Sequence, residues 1–162
     1  MIAYHMSPVL HPVGKILTGN GRPKVEREIE EALERFRPKA YLDHLNSVYS
    51  RETTDFTMLG LDGGYIYRVA IRGDYQRHDA GWVGQLQLAH LKPKYAKTYQ
   101  HVRNQWPDWT DDFVAATSTN YWTGVESNEP VWELLSVEAG VEAQLSNTPV
   151  MAAATKGGWR PS

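Results

Sequence analysis

No cysteine occurs anywhere in the 162 residues, so whatever this chain folds into is held without any disulfide. A disulfide framework, a thiol nucleophile and a zinc site built on Cys are excluded, and a metal would have to be held by His and carboxylates. The length fits one domain with a sizeable core. Hydrophobic residues at 41% against charged residues at 22% belong to a packed protein and not to a disordered one. The opening Met1-Ile2-Ala3-Tyr4-His5 lacks the basic stretch and apolar run of a secretory signal. No window approaches the roughly 20 apolar residues of a membrane span, so the expectation is a cytoplasmic protein with no membrane partner. A net charge of −2 supplies no overall field that would draw the chain onto phosphate backbones.

Hydrophobic periodicity divides the chain into alternating strand and helix signals, the pattern of an α+β domain. Residues 2–6 read as a first strand running into a loop through Ser7-Pro8 and His11-Pro12-Val13-Gly14. Val25, Ile29, Ala32, Leu33 and Phe36 recur at helical spacing between Pro23 and Pro38. The opposite face of that helix, Glu26, Glu28, Glu30, Glu31 and Glu34, reads as its solvated side. Residues 41–50 fit either a helix or a turn into a strand. Gly60 to Gly64 reads as a turn, after which Tyr65, Tyr67, Val69 and Ile71 alternate as in a half-buried strand that Gly73-Asp74 should end. Residues 84–104 read as helix broken at Pro93, and residues 110–120 as a helix capped by Thr110. Residues 131–137 and 141–145 suggest two late strands joined by a turn at Gly140. Residues 1–147 then make one domain, and 148–162, with Ala152-Ala153-Ala154 and Gly157-Gly158, a mobile C-terminal tail.

Most sequence signatures of catalysis are missing. There is no Gly-x-Ser-x-Gly elbow, no Walker loop, no Gly-x-Gly-x-x-Gly after a strand, and no His-x-x-x-His or His-Glu-x-x-His pair. His90 and His101 are separated by Pro93, and no metal is expected. Six Trp and nine Tyr against three Phe suit either stacking on a planar ligand or half-buried strands.

What remains is an ordered series: Tyr4-His5 on the first strand, Asn46-Ser47-Val48-Tyr49-Ser50-Arg51, Tyr121-Trp122-Thr123-Gly124, and Pro130-Val131-Trp132-Glu133 opening a late strand. This series resembles the ADP-ribosyltransferase superfamily of the diphtheria-toxin-like His-Tyr-Glu kind, including small bacterial and phage members, over about residues 2–145. The resemblance implies a split β-sandwich, two small packed sheets with flanking helices, with NAD⁺ as co-substrate in the cleft between them. It implies that His5 hydrogen-bonds the NAD⁺ ribose, that Tyr49, or in its place Tyr65 or Tyr67, stacks on nicotinamide, and that Glu133 is the catalytic carboxylate. For each there is a plainer role: a strand His satisfied by a carbonyl, tyrosines that pair strands or fill the core, a Glu133 turned to solvent by alternation.

A fixed carboxylate stabilises the oxocarbenium-like state formed as the nicotinamide bond breaks. A lone Glu between Trp132 and Leu134-Leu135 is costly to bury without a use for its charge. Arg51 suits bidentate contact with the diphosphate or a surface role. The position two before Glu133 is Val131, where arginine-modifying members carry Glu or Gln, so arginine as acceptor is in doubt unless Glu126 or Glu129 substitutes. The implied activity is transfer of ADP-ribose to a macromolecular acceptor, a protein ahead of a nucleic acid, in a toxin or phage effector. The alternatives are NAD⁺ hydrolysis and a non-catalytic interaction or inhibitor protein on the same fold.

Overall fold

The structure, a computed structural model, describes residues 1–56 and 63–146. The expected tail at 148–162 and most of the expected turn at 60–64 lie outside the described residues. Nine elements follow in order: β1 (Ile2–Ser7), β2 (Ile16–Thr18), α1 (Arg27–Arg35), β3 (Val48–Ser50), β4 (Tyr65–Asp79), α2 (Gly81–Tyr95), α3 (Gln100–Gln105), α4 (Asp111–Thr123) and β5 (Trp132–Gln144). The domain is α+β, and its strands form one five-stranded antiparallel sheet in the order β1-β4-β5-β2, with β3 also on β5. Among the described residues no helix is long and apolar enough to cross a membrane.

The long hairpin of β4 and β5 is the frame. β1 pairs with the first part of β4 (His5 opposite Tyr67), and β2 pairs with the middle of β5 (Ile16 opposite Gly140). β3 pairs with its beginning (Tyr49 opposite Leu135). The ladder slips at Arg68/Val69 and again at Arg72/Tyr75, and Gly73 takes φ +73° within the second slip. Bulges of this kind bend and twist a hairpin. The bend is what lets Tyr4 of β1 form a two-way backbone bridge with Arg51, just after β3, at 2.8 and 2.7 Å. Measured along a flat hairpin, those two points would be about ten residues apart, on the order of 30 Å. The sheet therefore curls until β1 meets the end of β3. The apolar cluster inside the curl draws on both ends of the hairpin: Ala3, Tyr67, Val69 and Val141 from one, Val48 and Leu134 from the other.

The outer face of the β3 end is covered by helices. Ile29, Ala32 and Leu33 of α1, Val83 and Leu86 of α2, and Val114, Tyr121 and Trp122 of α4 pack on Leu135 and Tyr49. Trp122 lies 1% exposed and donates its indole N–H to the Leu33 carbonyl at 2.7 Å, fastening α4 to α1. Thr110 caps α4 by accepting from Phe113 N, and Gly124 ends it at φ +71°.

Three sequence expectations are corrected here. Gly140 is no turn: it sits mid-strand in β5, paired with both Ile16 and Ala70, where a side chain would press on the Arg72 guanidinium. β4 does not stop at Gly73-Asp74, because these residues form a bulge and the strand resumes to Asp79. α2 runs through Pro93 to Tyr95, since a proline in the last turn removes one hydrogen bond near an end that is open anyway. The open choice at 41–50 resolves to a short strand at Val48–Ser50 with no helix before it.

Gly19, in the loop after β2, lies so close to the segment before β3 that a Cβ there would land on the Asn46 backbone carbonyl. Backbone on both sides leaves little room for relief. Gly19→Ala is expected to destabilise the fold by about 1–3 kcal/mol, measured by urea unfolding.

Candidate functional site

His5 on β1, Tyr49 on β3, Arg51 just after it and Glu133 on β5 lie where the sheet closes. Tyr49 offers its carbonyl to His5 Nδ1 at 2.7 Å. A carbonyl only accepts, so His5 carries its proton on Nδ1 and leaves Nε2 with a free lone pair. Burial holds the His5 imidazole below its usual pKa, against the raising effect of the Tyr49 carbonyl, with His11 and Lys24 adding to the downward shift. Arg51 is bridged to Tyr4, donates Nε to the Trp132 carbonyl at 3.1 Å, and donates a further N–H to the Asp55 carbonyl. It fastens β1, β3 and β5 together immediately before Glu133, and in this arrangement it is a strut.

Glu133 is 4% exposed, so it is not the solvent-facing residue that simple alternation allows. Tyr121 donates its hydroxyl to Glu133 Oε1 at 2.6 Å. Burial raises the Glu133 carboxyl above the ordinary value; His44, the Tyr121 bond and Arg51 oppose it, and Glu30 adds to it. Around this pair lies a polar and aromatic cluster under the helices. His44 Nδ1 meets Glu30 Oε2 at 2.5 Å, both side chains buried, and Tyr49 donates its hydroxyl to the His44 carbonyl at 2.9 Å. The His44 ring stands edge-on to Tyr49 at 4.9 Å and to Tyr121 at 5.7 Å. Burial pushes the Glu30 carboxyl up, but the bond to His44, its charge, and the backbone N–H groups of Lys24 and Val25 together leave it below the ordinary value. Burial, with Glu133 and Glu30 nearby, raises both the Tyr49 and the Tyr121 hydroxyls.

The expected meeting of His5, a tyrosine and Glu133 in one cleft is only partly found. The strands adjoin, but alternation puts His5 on the face it shares with Ala3 and Tyr67, and Glu133 on the face it shares with Leu135. Tyr67 is 0% exposed within the inner core, its hydroxyl between the Val9 carbonyl and the His11 N–H. Tyr65 packs partly against the same core. Neither ring presents a free face beside Glu133. Tyr49 is half-buried and belongs to the Glu133 side, with the Lys24 ammonium 5.7 Å from its ring centroid. Glu126 and Glu129 are exposed on the segment between α4 and β5.

Several members of the cluster were not legible in the sequence. Glu30 looks like one more acidic residue on the solvated face of α1, yet it is buried beside Ile29 and Leu33. His78 and Asp79 fall beyond the apparent end of β4. Asp79 is 0% exposed and accepts from the backbone N–H groups of Gly81, Val131 and Ser127 at 2.8, 2.8 and 2.6 Å. It thereby fixes the start of α2 to the segment that leads into Glu133. Among the described residues no three His, Asp or Glu side chains are grouped to hold a metal ion.

His78, opposite Glu133 in the ladder, stacks on Tyr121 at 4.8 Å and donates Nδ1–H to the Tyr121 carbonyl at 3.0 Å, while its buried Nε2 has no partner. Burial pushes its pKa down to about 4, outweighing the Tyr121 bond, and His44 adds to the fall. In the unfolded chain it titrates near 6.5. The stability this brings is fully present above that value and is lost as pH falls towards about 4, because only the unfolded chain takes up the proton. At its limit the loss is about 3 kcal/mol. Urea unfolding between pH 7 and pH 4 should show this slope, and His78→Gln should flatten it.

Compared with protein-family models and with curated proteins, the sequence matches none.

Proposed function

We propose that the chain is an NAD⁺-using enzyme of the ADP-ribosyltransferase type, transferring ADP-ribose from NAD⁺ to a macromolecular acceptor with release of nicotinamide. The observation that carries this is the closure of the sheet, which sets β1, β3 and β5 side by side with His5, Tyr49 and Glu133 on adjoining strands. The split β-sandwich belongs to the proposal; it is supported by the bulges of the β4–β5 hairpin and by the apolar core to which both ends of that hairpin contribute. His5, held as the Nδ1–H tautomer, offers Nε2 to accept a ribose hydroxyl. Glu133 would supply negative charge against the oxocarbenium-like ribose, which requires its carboxylate to leave Tyr121. The acceptor is a protein ahead of a nucleic acid, and water in its place gives NAD⁺ hydrolysis.

A second reading, a non-catalytic interaction protein on this fold, is favoured by one observation: Glu133 is already bonded to Tyr121 and closed off from solvent. Calorimetric titration with NAD⁺ separates the two. The enzyme binds NAD⁺, and His5→Ala weakens binding about tenfold with the folded fraction unchanged, as expected for loss of one well-placed hydrogen bond. A folded parent that gives no heat with NAD⁺ leaves the interaction protein.

A further inference from the structure

The chain as a whole is acidic, yet its charge is unevenly placed. Four of the seventeen Lys and Arg, and none of the nineteen Asp and Glu, lie in residues 81–107, so this stretch carries +4 while the remainder carries −6. The positive stretch is α2, α3 and the turn between them. Lys94, Lys97 and Arg103 are exposed there, and among the described residues none of the three forms a salt bridge. Lys92 is already engaged, by the Trp106 carbonyl at 2.8 Å and by Asp108 at 2.7 Å.

Interleaved with these cations is a chain of half-buried rings. Tyr95 lies 6.5 Å from Tyr99 and 6.0 Å from Trp106, Tyr99 lies 5.8 Å from His101, and the Lys94 ammonium stands 5.2 Å from the Tyr95 ring centroid. None of these residues belongs to the cluster around Glu133 or to the apolar core under the helices. An apolar core explains rings, and solvation explains lysines, but neither explains half-buried rings alternating with cations that form no salt bridge in a stretch without Asp or Glu.

We propose that this surface binds single-stranded nucleic acid. Lys94, Lys97 and Arg103 would meet successive phosphates, and the half-buried Tyr99 would offer a ring on which a base stacks whatever its sequence. A duplex keeps its base faces hidden, and an acidic peptide or an anionic lipid surface has nothing planar to place on the rings. The net charge of the whole chain conceals the patch because the acidic residues all lie outside 81–107, the glutamates of α1 among them, and screening confines each field to about 10 Å at ordinary salt. The surface acts whether or not the chain uses NAD⁺.

The test is fluorescence anisotropy of the full chain with fluorescein-labelled 20-nucleotide oligo-U and oligo-dT at 50 mM salt. The expected dissociation constant falls between about 10⁻⁴ and 10⁻⁶ M, and three phosphate contacts give a slope of about −2 in log affinity against log salt. The double variant Lys94→Glu/Lys97→Glu, changed only at exposed positions, keeps its melting temperature, binds at least tenfold more weakly and shows a flatter salt slope. Tyr99→Ala weakens binding about 5- to 100-fold with the salt slope unchanged, and Tyr99→Phe restores it. Absence of binding overturns the proposal, as does equal binding by the double variant. Tighter binding of a duplex, of a poly-glutamate peptide or of vesicles containing phosphatidylserine also overturns it, in favour of a merely basic surface.

Discussion

Replacing Glu133 by Gln is expected to lower ADP-ribose transfer about 100-fold or more while NAD⁺ affinity changes little. Gln keeps the size of Glu and still accepts the Tyr121 hydroxyl, but it removes the charge that, on the proposed mechanism, would oppose the developing cation on the ribose. A charge that matters more in the transition state than in the ground state shows in turnover and not in binding. The fold should hold or gain slightly, because the carboxyl is buried and its ionised form is disfavoured there. Calorimetry for NAD⁺ affinity and mass spectrometry for transfer, on the same two preparations, check this. A variant that transfers as fast as the parent removes Glu133 from the chemistry.

Asp79→Ala should give the largest loss of stability of any single exchange considered, about 3–5 kcal/mol. Three backbone N–H groups, at Gly81, Ser127 and Val131, converge on this one carboxylate at full burial, and alanine leaves all three without an acceptor. For a domain of this size that corresponds to a fall in Tm of about 10 °C or more. Asp79→Asn, which preserves one acceptor oxygen, should lie between. The effect reaches the candidate site as well: Ser127 and Val131 belong to the segment that delivers Glu133, so a folded Asp79→Asn protein should transfer ADP-ribose more slowly. Scanning calorimetry gives the first quantity and the transfer assay the second.

Much of this architecture is legible in the sequence, and the reasons it stops are specific. The stripe Val25, Ile29, Ala32, Leu33 and Phe36 locates α1 because a helix packed on one side must repeat its apolar residues at 3.6. Thr110 locates the start of α4 because its side chain caps Phe113 N. The alternation from Tyr65 to Ile71 locates the first half of β4. Its second half is hidden, because glycine and aspartate mark a turn and a bulge alike and only the partner strand tells them apart. Losing that half removes His78 and Asp79 from the strand, and with them the residues opposite and ahead of Glu133. Gly140 misleads in the same way. Glu30 is hidden by its neighbours: its burial depends on His44, fourteen residues on, in a stretch without regular secondary structure. At the site, order along the chain is enough to place His5, Tyr49 and Glu133 on strands. Which face each side chain takes follows from register, and register is set by pairings far apart in sequence.

The central claim is most directly tested by incubating the purified, folded protein with NAD⁺ in a cell lysate and measuring free nicotinamide and ADP-ribosylated macromolecules together by mass spectrometry. An ADP-ribosyltransferase would release nicotinamide and leave ADP-ribose on an acceptor, and Glu133→Gln would do neither at a comparable rate. Intact NAD⁺ and unmodified macromolecules after incubation with the folded parent would contradict it.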